Sequence, residues 1–211
     1  VRHADIDVAV FQIDAGCPAA DRRAALDTQL AAIDGSKPDL VVCPELFSTG
    51  YAADPDAIRA AAEPVDGDYV AAMGALARRY GTALHFGFAE RDGARLFNAS
   101  VTVDATGAVI GRYRKRVLPP GYEAEVFTPG DGGPPIEIAG VRIQPLICYE
   151  VEFPECVRAA ARAGADLVLV PTALRSMWRF VAEKMIPVRA FENRVFLVYA
   201  NYAGNDEAAK S

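Results

Sequence analysis

An α/β fold is predicted by three features of the sequence: short apolar β-runs alternate with helical stretches, the alternation persists along the chain, and no repeat or low-complexity segment interrupts it. Residues 7–13 read as an apolar strand. A helix follows over Ala19–Ile33, where Ala25, Leu26, Leu30 and Ile33 recur at helical spacing. Residues 39–45 are a short buried strand ending in the carboxylate Glu45, which completes a βαβ-like unit. Asp68–Tyr80 forms a second helix stopped by Gly81 and leads into a strand over residues 82–90. Residues 96–103 and 108–118 flank a turn at 104–107 and read as a hairpin. Residues 119–135 are rich in proline and glycine, so a long irregular loop of the functional kind is expected. Beyond it come strands at Ile136–Ile138 and 142–147, a helix over 153–164 with Pro154 in its first turn, a strand at 166–170, a mostly helical stretch over 180–193 and a last strand at 195–200.

The 211 residues carry 22 Lys and Arg against 28 Asp and Glu, a formal net charge of −6, with 52% hydrophobic residues. That is the balance of a globular chain, and one domain over residues 1–211 is expected. The acidic surplus excludes a general nucleic-acid binder, which needs clustered cations to displace counterions. The apolar runs fall far short of the roughly 20 residues that span a bilayer. Residues 1–7 alternate charged and apolar side chains, unlike a signal peptide, so a cytoplasmic location without a membrane partner is expected.

Four cysteines, Cys17, Cys43, Cys148 and Cys156, contain no CxxC pair, and His3 and His85 are the only histidines. Neither a zinc site nor a disulfide framework is expected, and Cys17, Cys43 and Cys156 read as small buried hydrophobes. His3 is terminal and His85 lies within a strand, so neither suits a triad base. A cysteine nucleophile would therefore have to give its proton to a carboxylate or an amine. Lysine is scarce, yet Lys115 stands among Arg112, Arg114 and Arg116. It reads either as a basic residue on a solvated edge or as a compact point charge that a guanidinium cannot replace.

Glu45 and Cys148 end predicted strands and Lys115 lies within or just after one, and strand ends are where sites form in open α/β sheets. Cys148 also sits in a sharp strand-to-helix passage resembling a nucleophile elbow, with the following helix aimed to favour thiolate and an oxyanion beside it. Taken alone, the pattern leaves Cys148 either a nucleophile or a buried structural cysteine. Glu150, Glu152 and Glu155 read as capping or solvated residues at a helix start, and Arg175 and Arg179 beside Trp178 as either anion contacts or a solvated face.

Five motifs then resemble one family. Cys43-Pro44-Glu45-Leu46-Phe47, Tyr113-Arg114-Lys115, Phe127-Thr128-Pro129-Gly130, Cys148-Tyr149-Glu150 with Phe153-Pro154-Glu155, and Phe191-Glu192-Asn193 with Tyr199-Ala200-Asn201 look like those of the carbon–nitrogen hydrolase (nitrilase) superfamily, in family order. The resemblance implies a Glu-Lys-Cys triad of Glu45, Lys115 and Cys148. A second family glutamate precedes the FxPG-like segment; its spacing selects Glu123, with Glu125 the competing assignment. Tyr51, Tyr149, Thr172 and Ala173 are implied substrate-binding positions, each with packing as the plain alternative.

The resemblance further implies a four-layer αββα sandwich with two pseudo-symmetric halves, a homodimer or larger homo-oligomer, and no metal, nucleotide or other cofactor. It also implies a C-terminal truncation, since family members continue past residues 199–204 into two further strands. The activity implied is cysteine-dependent hydrolysis of a small amide through a thioester. Val170-Pro171-Thr172-Ala173 looks closer to the amidase or carbamoyl-amide branches than to true nitrilases. Nitrile or N-carbamoyl hydrolysis, a non-catalytic oligomerisation or binding module, and a redox-sensing Cys148 are the alternatives.

Overall fold

The computed structural model describes residues 5–33, 35–51 and 54–204; His3 lies outside them. Three parallel strands, β1 (Val8–Val10), β2 (Leu40–Val42) and β3 (Ala83–Asp92), continue through an antiparallel hairpin, β4 (Arg95–Val103) and β5 (Val109–Arg114), into a five-stranded sheet of order β1-β2-β3-β4-β5. The second sheet has four strands in the order β6 (Ile136–Ile138), β7 (Val141–Pro145), β8 (Leu167–Pro171) and β9 (Phe196–Ala200). Here β6 is antiparallel to β7, and β7, β8 and β9 run parallel.

The layering arises from the two-residue period of the strands. Leu40 and Val42 of β2 point inward and meet Ile143, Leu167 and Leu169 of the second sheet in one buried cluster. Val41 and Cys43 point the other way, toward Leu26 and Leu30 of α1 (Ala19–Ile33) and Val70, Met73 and Ala77 of α3 (Asp68–Tyr80). Likewise Val168 and Val170 of β8 turn outward onto Cys156, Val157 and Ala160 of α5 (Pro154–Arg162), with Ile186 of α6 (Ile186–Asn193) beside them. The result is the expected αββα sandwich of two packed sheets with a helical layer on each outer face.

Three elements differ from the sequence expectation. A short helix α2 (Pro55–Ala61) precedes α3, started by Asp54, whose side chain accepts from the Asp56 and Ala57 N–H groups. The loop over 119–135 is not wholly irregular: α4 (Tyr122–Val126) sits in it, closed by the Glu125 N–H on Gly121 O and the Phe127 N–H on Glu123 O. The stretch over 180–193 begins as a π-helical turn, Val181–Met185, before α6 takes over with Pro187 near its start. Proline cannot supply the N–H that an uninterrupted α-helix would need there.

Candidate active site

The C-terminal ends of β2, β7 and β8 and the end of β5 converge between the sheets. After Val42 the chain turns through Pro44, with the Cys43 N–H on His85 O, and delivers Glu45 into the interior. Gly87 makes this turn possible, because a Cβ there would overlap Leu46 N and crowd the Glu45 backbone. The Glu45 N–H donates to Thr172 O at 3.4 Å, and the Tyr202 hydroxyl donates to Glu45 O at 2.8 Å. Both ends of the residue bearing this carboxylate are thus tied to the second sheet's side of the molecule.

Lys115 comes directly after β5, and its backbone N–H donates to Asn98 O at 2.8 Å. Its ammonium donates to Glu45 Oε1 at 2.7 Å and to both Glu123 oxygens, at 2.6 and 2.8 Å. All three side chains are buried, with residue exposures of 0% for Glu45 and 1% each for Lys115 and Glu123. Asn98 completes the cluster: its amide donates to Glu45 Oε1 at 2.8 Å and to Glu123 Oε2 at 3.0 Å. The Tyr51 hydroxyl donates to Glu123 Oε1 at 2.7 Å, and its ring packs against Tyr122. Glu45 Oε2 has no partner among the described residues.

The charges are set by this arrangement. Burial raises the Glu45 pKa; Lys115 opposes the shift, Glu123 adds to it, and the net direction is up. Burial alone would lower the Lys115 pKa, but Glu45 and Glu123 overcome it and hold the amine charged. The tight carboxylate contacts also set this lysine apart from a residue on a solvated edge.

Cys148 lies just beyond β7 in a buried position, with φ of +42°, a left-handed conformation that costs a non-glycine residue strain. The strand does end in a sharp turn, but the next element is a tight 3₁₀ turn, Cys148–Glu152, and α5 starts only at Pro154. The strained turn at Cys148 matches the expected elbow in outline, with the 3₁₀ turn in place of a helix directly behind it. Burial and the Glu45 charge raise the Cys148 pKa well above its ordinary value, against the opposing pull of Lys115 and the Ala173 N–H. The balance favours the protonated thiol.

Of the two competing loop glutamates, Glu123 reaches Lys115 and Glu125 is exposed. Tyr51 stands at the cluster through Glu123, and Ala173 through its N–H toward the Cys148 sulfur. Tyr149, next to Cys148, is half-buried with its ring edge-on to Phe153 at 5.0 Å. Thr172 is buried, and its hydroxyl donates to Val170 O at 3.0 Å, so its contribution here is the backbone carbonyl that receives the Glu45 N–H.

Of the capping and solvated readings, Glu150 takes the capping one, its carboxylate accepting the Ile147 N–H at the start of the turn. It is buried and braces the turn, while Glu152 is half-buried and Glu155 exposed. Cys43 and Cys156 are buried as expected, whereas Cys17 is partly exposed, and all four cysteines are free. Arg179 is on the surface, paired with Glu183 at 2.7 Å. Among the described residues no group of three or more His, Cys, Asp or Glu is disposed to hold a metal ion, and no helix is long and apolar enough to cross a membrane.

Asn98 and Tyr202 join the site without a motif that marks them in the sequence. The available signal is an asparagine in the middle of a strand, an environment that disfavours it.

Comparison with known proteins gives the same direction. A family model described as carbon–nitrogen hydrolase matches residues 7–210. The chain is 41% identical over 83% of its length to a "hydrolase in pqqF 5′ region" of Pseudomonas protegens, covering 62% of that protein, and 35% identical over 79% to an (R)-stereoselective amidase of Pseudomonas sp., covering 60%. It therefore spans about three fifths of the length of these curated relatives. Among solved structures it resembles an amidase from Nesterenkonia sp. with a TM-score of 0.82 at 32% identity, over 97% of this chain and 79% of that one. A variant of that amidase, at a TM-score of 0.84 and 32% identity over 95% of this chain and 80% of that one, shows Michael addition of acrylamide at the active-site cysteine.

Proposed function

The chain belongs to the carbon–nitrogen hydrolase family, and from that premise we propose that it is a cysteine-dependent amidohydrolase, splitting a small non-peptide amide into an acid and ammonia or an amine. The observation that carries the proposal is the division of labour within one carboxylate. Lys115 and Asn98 fix Glu45 Oε1, while Oε2 remains without a partner among the described residues, and the Glu45 charge favours the protonated form of the Cys148 thiol. A buried carboxylate of raised pKa, with one oxygen anchored and the other open, is suited to accept and return a proton.

In the proposed cycle Glu45 takes the Cys148 proton as sulfur attacks the amide carbon. The oxyanion that forms is met by the Lys115 ammonium and the Tyr149 N–H, at the start of a turn whose first N–H groups lack intrahelical partners. On collapse the C–N bond breaks, Glu45 gives its proton to the leaving nitrogen, and a thioester remains on Cys148. Water, deprotonated by Glu45, then attacks the thioester; the C–S bond breaks, and the proton returns to the thiolate. Glu123 keeps Lys115 oriented through both half-reactions, and Tyr51 keeps Glu123 in place. The substrate is held at Tyr51, Tyr149, Thr172 and Ala173, with the Thr172 carbonyl fixing the Glu45 backbone.

A homodimer, built from a single domain and located in the cytoplasm, completes the proposal. The exposed apolar side chains of Trp178, Phe180, Val188, Phe191 and Phe196 support a second copy as the partner.

The test is ammonia release from a panel of primary amides, N-carbamoyl compounds and nitriles, beside a Cys148→Ala protein. Turnover that disappears in the variant supports the proposal, and the panel names the acyl class. Absence of release by folded protein, or release that survives in the variant, refutes it.

A further inference from the structure

Glu150 is buried, has an exposure of 0%, and plays no part in the proton transfers described above. Its two oxygens divide their partners between two separate segments. Oε2 accepts the N–H of Ile147, the residue before the nucleophile, at 2.9 Å. Oε1 accepts the Tyr113 hydroxyl at 2.9 Å and the backbone N–H of Arg116 at 3.1 Å, with Arg116 Nε at 3.4 Å. Tyr113 and Arg116 flank the lysine at 115 on either side, two residues before it and one after. Arg116 Nε also donates to the Tyr113 hydroxyl at 3.1 Å, which closes the group into a ring.

We infer that Glu150 is a positioning residue: a single buried carboxylate that clamps the Cys148 turn to the strand end carrying Lys115, and so fixes the separation of nucleophile and ammonium. The need for a clamp is visible in the backbone. Cys148 holds a strained φ of +42°, which persists only if its surroundings over-determine it, and the Ile147 N–H bond acts at the adjoining peptide. On the other side, Lys115 follows the last residue of β5 with its N–H still bonded to Asn98 O of β4, and the Arg116 N–H on Glu150 carries the anchoring one residue further. A carboxylate suits this task because both of its oxygens accept. A glutamine offers one accepting oxygen and turns an NH₂ toward donors on the other side, so it can keep only one half of the clamp.

The inference rests on the reading of Cys148 as nucleophile, and the experiment separates the two. Wild type, Glu150→Gln and Tyr113→Phe are compared for kcat and KM on an amide found by the panel, and for the rate of iodoacetamide alkylation of Cys148, assigned by mass spectrometry with partly exposed Cys17 as internal reference. Alkylation needs no amide turnover, so it reads the geometry even if no substrate is found. Because a misplacement of about 1 Å can cost about 100-fold, Glu150→Gln is expected to lower kcat by about 10- to 100-fold with KM nearly unchanged, and to change the Cys148 alkylation rate while that of Cys17 stays constant. Tyr113→Phe, which removes the bond to Glu150 and the bond from Arg116 Nε but leaves the Ile147 side and the Arg116 N–H intact, is expected to give a smaller change of the same kind.

A purely structural role would lower the melting temperature and leave both rates of the folded protein unchanged; that result overturns the inference. Should Glu150→Gln fail to fold, Tyr113→Phe decides on the same two rates.

Discussion

Lys115 shows why residue type matters more than charge at this site. One compact ammonium sits within 2.6 to 2.8 Å of three carboxylate oxygens from two different glutamates, in a space closed to solvent. A guanidinium would bring a wider planar fork whose donors cannot all find acceptors in that volume. Lys115→Arg is therefore expected to lower kcat by roughly 100-fold or more, as much as Lys115→Ala, by the scale of deleting one oxyanion donor. Retention of more than a tenth of wild-type kcat by the arginine variant would contradict this.

Much of the site is legible at this scale. Glu45 and Cys148 stand out as reactive side chains closing apolar strands, and Lys115 as a lone lysine among arginines, although the predicted strand over 108–118 runs past the observed end of β5 at Arg114. Glu123 cannot be separated from Glu125 by hydrophobic pattern, since the choice depends on α4, a single turn within a proline- and glycine-rich segment. Nor can sequence show that burial and Glu45 hold the Cys148 thiol protonated, because that balance depends on distances across the sandwich.

At the scale of the element, β4 is the instructive case. Asn98, Ser100 and Thr102 alternate with Phe97, Ala99, Val101 and Val103, a pattern that ordinarily marks a strand with one face in water. Here the polar row is buried as well: Asn98 reaches the carboxylates of Glu45 and Glu123, and Thr102 meets His85 Nδ1 at 2.8 Å. Packing of a second sheet, which no local period reveals, turns a solvent face into the floor of the site.

His85 bears a pH consequence. Burial lowers its pKa from 6.5 to about 3, so the folded chain holds it neutral. Below pH 6.5 the unfolded chain takes up a proton that the folded chain does not. Its contribution to stability is thus complete above 6.5 and is lost as the pH falls toward 3, at roughly 1.4 kcal/mol per pH unit. Denaturant unfolding at pH 7.5 and 5.5 is expected to show a stability loss larger by about 1.4 kcal/mol in wild type than in His85→Gln. Equal losses in the two proteins would contradict a neutral buried His85.

Over the whole molecule, the two sheets are held by a shared apolar interior, and the site occupies the end of that interior where buried charge replaces packing. β2, β7 and β8 run to the same end, which is why residues as distant in sequence as Glu45, Cys148 and Thr172 meet. The four-layer arrangement is accessible from the motifs that resemble the family, whereas the alternation of strands and helices alone indicates only an α/β class. In the described residues β9 lies at a sheet edge with Phe196 80% exposed, an apolar margin that the hydrophobic pattern of residues 195–200 does not distinguish from a buried strand.

The most direct test of the central claim, that Glu45, Lys115 and Cys148 act as one hydrolytic centre, is intact-mass analysis after acid quench during turnover. Wild type is the informative protein, because its quench traps a thioester that forms and breaks in each turnover, whereas Glu45→Gln, without the base for both half-reactions, is expected to form the adduct about 100- to 10,000-fold more slowly. The expected result is an adduct of the acyl mass, mapped to Cys148 and absent from Cys148→Ala. An adduct on Cys17, Cys43 or Cys156, or turnover by wild type with no acyl adduct in either protein, would contradict it.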